Sequence, residues 1–320
     1  MQEAAPAGPG TWAARRRDRL DPMGLLTLEL DAPLDLGLTL GPLWRGPLDP
    51  TMKLWADHAV RASRTIDGPA TTEIRIAGGR LTAEAWGPGA DAALAAVPAL
   101  VGLGDDPAAF RPAGGLLREL ARRAPGLRLP KTGAVVEALV PAILEQKVTG
   151  AEAFHGFRGL VRAFGERAPG PHDLWLQPTA RLLATVPYYR LHPLGIERRR
   201  ADTIRFAASR ASRLEETVTM APHQAAARLQ ALPGVGAWTA AEVTLRAMGD
   251  PDAVSVGDYH LPNLVSFALA GEPRADDARM LELLEPYRGQ RARVIRLLET
   301  SGIRAPRHGP RMEVRSIATI

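Results

Sequence analysis

The chain has 320 residues, enough to bury a sizeable core and to hold two or three subdomains. It has no cysteine, which excludes disulfides and a cysteine-ligated iron–sulfur cluster, and its seven histidines show no metal-binding spacing. Forty basic residues against thirty-five acidic give a net charge of +5, concentrated in residues 111–213, where 18 Lys or Arg face 8 Asp or Glu. A basic middle suits a polyanion-binding face, although a solvated surface rich in arginine has the same composition.

Residues 1–21 contain Pro, Gly and the Arg15-Arg-Arg17 run and read as a mobile basic arm. They lack an apolar signal core, and no run in the chain approaches the length of a membrane span. The expectation is a cytoplasmic protein with no membrane partner, acting as a monomer. Residues 22–111 carry strand signals: Leu26–Leu30, Thr71–Ile76 and Leu81–Trp86 alternate with period two, and Ile76–Leu81 has the glycines of a hairpin turn. Between them, Leu36, Leu40 and Leu43 fit a helix begun at Asp35, while Leu34, Leu36, Leu38 and Leu40 also alternate. Periodicity alone leaves both open. A short helix is expected over 90–101. From about residue 112 to 303 the pattern is helical throughout, and 304–320 reads as an irregular tail. The fold class is therefore α+β, an N-terminal antiparallel sheet subdomain followed by an all-α domain.

The most informative segment is Leu232-Pro-Gly-Val-Gly236, between a helix expected over 223–231 and another over Trp238–Met248. Pro233 and Gly234 stop the first helix, and Gly236 permits close approach of another molecule. Amides at the start of the second helix then form an anion site that ignores base sequence. An ordinary helical hairpin uses glycine in the same way. What shifts the reading is Asp258, twenty residues after Trp238, in a Val256-Gly-Asp-Tyr-His segment that leads into an apolar helix. There the free amides and helix dipole favour a negative charge.

Leu232-Pro-Gly-Val-Gly236 with Trp238-Thr-Ala240 and Asp258-Tyr259 resembles the helix-hairpin-helix DNA glycosylases, most closely the DNA-3-methyladenine glycosylase II family. Ala124-Pro-Gly-Leu-Arg-Leu-Pro130, Val140-Pro-Ala-Ile-Leu-Glu-Gln-Lys-Val148 and Leu194-Gly-Ile-Glu-Arg-Arg-Arg-Ala201 extend the likeness, which covers about residues 22–303 and is strong over 115–300. The resemblance implies a helix-hairpin-helix over 223–248, double-stranded DNA with damaged bases as partner, and excision of alkylated or deaminated purines. It implies Asp258 as the catalytic carboxylate. Gln146, Lys147, Leu232, Gly234, Val235, Gly236 and Thr239 would contact DNA, and Trp238, Tyr259, Glu242 and Arg296 would form the base pocket. No cofactor or metal is implied, and a monovalent cation at the hairpin carbonyls is compatible. Glycosylases that also nick the strand carry a lysine where this chain has Trp238, so a monofunctional enzyme is expected.

Three positions depart from that family. Glu242 stands where a tyrosine is expected, Arg296 where a tryptophan would stack, and Lys147 where the wedge is normally leucine. Glu242 is placed either to attract a cationic base or to pair with Arg246 one turn on. The same departures fit an alternative, a catalytically weak protein that binds damaged or bent DNA.

Overall fold

The computed structural model describes residues 22–112 and 114–306; the arm expected at 1–21 and the tail beyond 306 lie outside the described residues, and Arg304–Pro306 has no regular structure. Strands β1 (Gly24–Glu29), β2 (Met52–Leu54), β3 (His58–Thr65), β4 (Gly68–Ala77) and β5 (Arg80–Trp86) form one sheet of order β1-β5-β4-β3-β2. Every pairing is antiparallel. Gly78 and Gly79 link β4 to β5, both with positive φ (58° and 76°), as a two-residue hairpin demands.

The segment left open by its leucines is a helix, Leu36–Leu40. The Asp35 carboxylate accepts from the Leu38 amide at 2.8 Å, and Leu36 and Leu40, one turn apart, both enter the sheet core. The helix Ala90–Leu100 covers the same face through Leu94, Val97 and Leu100.

Two further large cores lie among the helices. One surrounds the helix Val135–Leu144 and takes in Phe157, Leu160, Leu183, Ile204, Leu229 and Val243. The other joins Phe110, Leu117 and Leu120 to the helices Leu261–Ala270, Asp277–Leu284 and Arg291–Thr300. The sheet is tied to the first by Glu137, which pairs with Arg61 at 2.6 Å and accepts from the Arg64 amide at 2.8 Å.

An all-helical remainder is corrected in one place. Glu166–Arg167 and Trp175–Leu176 form a two-stranded ribbon whose Leu174 and Leu176 pack on Val60 and Ala62 of β3. The Arg162 and Arg167 guanidiniums lie 4.9 Å from the Trp175 ring centre, and the Trp175 amide donates to the Pro50 carbonyl at 2.7 Å. The ribbon is fixed by tertiary contacts rather than by its own short pattern.

Candidate functional site

The helix Pro222–Gln230 begins with proline at its first position and gives way to the hairpin, after which Ala237–Val243 resumes and passes into a π-helical turn, Thr244–Met248. The two glycines do different work. Gly234 turns the chain, with φ +84°, and a Cβ on it would lie 2.2 Å from Thr203 Oγ1. Gly236 is extended (φ −100°, ψ −175°), so any residue could adopt its backbone. A Cβ there would meet nothing within 4 Å. Its contribution is therefore open space in front of the helix Ala237–Val243, which no side chain caps.

The other hairpin residues point inward. Leu232, Val235 and Thr239 are buried, and Val235 and Thr239 also border the cleft. Gln146 Nε2 donates to the Gly234 carbonyl at 3.0 Å and to Thr239 Oγ1 at 2.8 Å. Expected at the DNA, Gln146 here braces the hairpin and occupies one of its carbonyls.

Lys147 is exposed and has φ +53°, the one positive value outside glycine among the described residues. Left-handed backbone costs an L-residue about 1–2 kcal/mol. The loop is held in that form from both sides, by Gln146 on the hairpin and by the Thr149–Glu152 capping box that starts the next helix. Arg200, from the basic run 198–200, is buried and donates to the Leu144 carbonyl at 2.9 Å, closing the helix end just before this loop. Its neighbour Arg199 is exposed and lines the cleft. Other arginines of the basic middle are engaged locally: Arg122 and Arg123 with Glu119, Arg198 and Arg205 with Asp202.

Asp258 lines the same cleft as the hairpin, three residues before the helix Leu261–Ala270. Its Oδ1 accepts from the His260 amide at 2.7 Å and the Leu261 amide at 2.8 Å; its Oδ2 accepts from Trp238 Nε1 at 3.1 Å. The carboxylate is thus both a helix cap and a partner of the indole, and three donors fix its orientation.

The remaining pocket residues fall differently. Tyr259 lines the cleft but is 80% exposed, edge-on to His260. The two readings of Glu242 resolve to the ion pair: its Oε2 lies 2.6 Å from Arg246 Nη2, and its Oε1 bonds Ser255 Oγ. Burial pushes the Glu242 carboxyl up despite Arg246. Arg296 pairs with Glu299 at 2.6 Å and donates to the Leu38 carbonyl at 3.2 Å, which ties the C-terminal helix to Leu36–Leu40. It also lines the cleft.

Sequence reasoning missed Ser255, Glu145 and Arg45. Arg246 carries Glu242 on one side and Glu145 (3.1 Å) on the other, and Glu145 also pairs with Arg45 at 3.0 Å. The Glu242–Arg246 spacing was visible as one helical turn. Nothing local marks Glu145 or Arg45, which arrive from distant parts of the chain.

No family model matches the chain. It is 33% identical over 178 residues to DNA-3-methyladenine glycosylase 2 of Escherichia coli K12, which covers 54% of this chain and 61% of that relative. The chain thus spans less than two thirds of the length of the curated relatives it matches. Among solved structures, the 3-methyladenine DNA-glycosylase of Archaeoglobus fulgidus superposes with TM-score 0.73 at 20% identity, covering 86% of this chain and 97% of that one. A Clostridium acetobutylicum 8-oxoguanine glycosylase/lyase bound to DNA superposes with TM-score 0.64 at 12% identity, over 87% and 97%. The antiparallel sheet followed by helices is the fold these glycosylases share.

Proposed function

We propose that this chain, related in sequence to DNA-3-methyladenine glycosylase 2 and folded as helix-hairpin-helix DNA glycosylases are, is a monofunctional DNA glycosylase of base excision repair. Its substrates are alkylated purines of the 3-methyladenine type, with deaminated purines as a second class. The observation that carries the proposal is Asp258, oriented by Trp238 Nε1 and two amides, lining the same cleft as the open Gly236 of the hairpin.

A base must leave the stack before its glycosidic bond can be reached. In this reading the hairpin amides hold a phosphate, Lys147 enters the gap with its apolar stem, and Trp238 borders the extruded nucleotide. As the bond between C1′ and the base nitrogen breaks, positive charge builds on the sugar. Asp258 stabilises it, orients the water that bonds to C1′ and takes the proton that the water gives up. The electron pair of the broken bond leaves with the base, and a cationic alkylpurine departs without a strong acid. The chemistry calls for no metal or cofactor, and the protein acts as a monomer on duplex DNA inside the cell. Among the described residues no helix is long and apolar enough to cross a membrane.

Base release from methylated duplex in the presence of EDTA tests the reading directly. Borohydride should trap no enzyme–DNA adduct, because the position that holds a lysine in strand-nicking glycosylases is Trp238, whose indole nitrogen is bonded to Asp258. Lys147→Ala should slow release, while Lys147→Leu should keep it. An adduct that disappears in Lys147→Ala would make the enzyme bifunctional and remove the wedge assignment.

The glycines give a second test. Gly236→Val should fold normally, since its side chain enters open space, yet weaken DNA binding by standing where the phosphate would sit. Gly234→Ala should damage the hairpin itself, because its Cβ would collide with Thr203. Wild-type affinity should fall steeply with salt. Unchanged binding by Gly236→Val, or a salt-insensitive affinity, would contradict this mode of holding DNA. One observation favours the alternative of a damage binder with little catalysis: Glu242 and Arg296 are engaged in ion pairs, and Tyr259 stands open to solvent. Absence of base release with intact binding to damaged duplex would establish that alternative.

A further inference from the structure

The helix Ala237–Val243 meets the loop 253–260 at two points one turn apart. At the first, Trp238 Nε1 donates to Asp258 Oδ2 at 3.1 Å. At the second, the Ser255 hydroxyl bonds Glu242 Oε1. Ser255 is buried, and its own carbonyl accepts the Asp258 amide at 3.2 Å, so whatever holds Ser255 also holds the start of the turn bearing Asp258. Glu242 in turn is fixed from behind by Arg246, which Glu145 fixes at 3.1 Å.

We propose that Glu242 is a positioning residue for the reaction: through Ser255 it sets the loop that carries Asp258, and with it the placement of the carboxylate beneath the sugar. The inference rests on the glycosylase role proposed for Asp258. The Gly257 amide ties the loop to the Asp277 carboxylate on its far side, and on the side of the helix Ala237–Val243 the Ser255 contact, about 6 Å along from Trp238, makes a second tether. Oε1 accepts from Ser255 while Oε2 is held by Arg246, so the carboxyl links the loop to the arginine behind it. Glu242 then acts without touching the substrate, a part that the tyrosine expected at this position could not play in the same way, because it lacks the second oxygen.

The test is single-turnover base release from methylated duplex, with DNA affinity and amide hydrogen exchange measured on the same full-length proteins. Ser255→Ala should slow release about tenfold, short of the ~10²-fold that a full 1 Å misplacement brings, with DNA affinity unchanged within about twofold. Glu242→Gln, which retains an oxygen for Ser255, should lose less than Glu242→Ala, and Ser255→Thr should restore the rate. The Ser255→Ala, Glu242→Ala double variant should be no slower than the slower single variant, since both break one contact. Where Glu242→Ala fails to fold, Ser255→Ala alone decides. The amides of His260 and Leu261, bonded to Asp258 Oδ1, should exchange faster in Ser255→Ala, and that measurement needs no catalysis. Faster exchange in a protein whose wild type releases no base would sink the glycosylase reading and leave the contact standing. A wild-type rate in Ser255→Ala, unchanged exchange, or losses that multiply in the double variant would overturn the positioning role.

Discussion

Asp258→Asn should lower single-turnover base release by roughly 10²-fold or more, the scale of removing one preorganised electrostatic group, while leaving DNA affinity near wild type. Asparagine is close to isosteric and caps helices as well as aspartate does, so Oδ1 keeps the His260 and Leu261 amides and the helix Leu261–Ala270 should start where it does now. The change falls on the other side of the group. The amide nitrogen would face Trp238 Nε1, donor against donor, and the negative charge opposite the developing sugar cation would be gone. Thermal stability should therefore move little while the chemical step fails. If Asp258→Asn releases base at near wild-type rates, the residue is only a helix cap and the proposed mechanism is wrong. If affinity and rate fall together, Asp258 is holding the cleft in shape rather than acting on the sugar.

What could be read from the sequence follows from how locally each feature is encoded. The hairpin, Trp238 and Asp258 lie within 27 consecutive residues, and glycine, proline and cap chemistry announce them. The β4–β5 hairpin was equally plain, because Gly78-Gly79 sits between two alternating runs. Strand β3 gave little signal: His-Ala-Val-Arg-Ala-Ser-Arg-Thr has few β-branched residues, and its register is supplied by β4 and the ribbon. At Leu36–Leu40 the pattern fitted two periods, and the Asp35 cap decided between them. Gln146 shows a different limit. Its place beside the hairpin was legible, but the direction of its amide toward Gly234 and Thr239 depends on two segments about ninety residues apart. The polar lining of the cleft was read from the positions of Glu242 and Arg296, and the pairing of Glu242 with Arg246 was one of two local readings; the contacts with Glu145, Ser255 and Leu38 were not legible, because those residues come from elsewhere in the chain.

The buried charges behind the cleft carry the largest stability prediction. Arg45, from the sheet subdomain, and Arg246, from the helix after the hairpin, keep only 5% and 9% of their side-chain surface exposed, and Glu145 lies between them. Glu145→Ala should cost about 3–5 kcal/mol, because it removes the carboxylate that both buried guanidiniums share and leaves Arg45 without its ion-pair partner. Glu145→Gln should cost less, since an amide oxygen can still accept from Arg246. Burial alone would push the Glu145 carboxyl up, yet Arg246 and Arg45 outweigh it and hold it below its ordinary 4.5. A depressed carboxylate contributes stability that is complete above about pH 4.5 and disappears as pH falls through the folded value. Glu242, pushed up, works in the opposite sense: its folded form keeps a proton longer, so it takes stability away as pH rises from about 4.5. The gap in unfolding free energy between wild type and Glu145→Gln should therefore be widest at neutral pH and close below pH 4.5, measured by denaturant unfolding across the acid range. A gap that stays constant with pH would mean that the ion pairs of Glu145 contribute nothing net. In that case the attachment of the sheet to the cleft would rest on Glu137 and the ribbon instead. A wide gap at neutral pH would make Glu145 the strut between the sheet and the Gln146–Lys147 loop that follows it in sequence, so Glu145→Gln should also slow base release by loosening that loop.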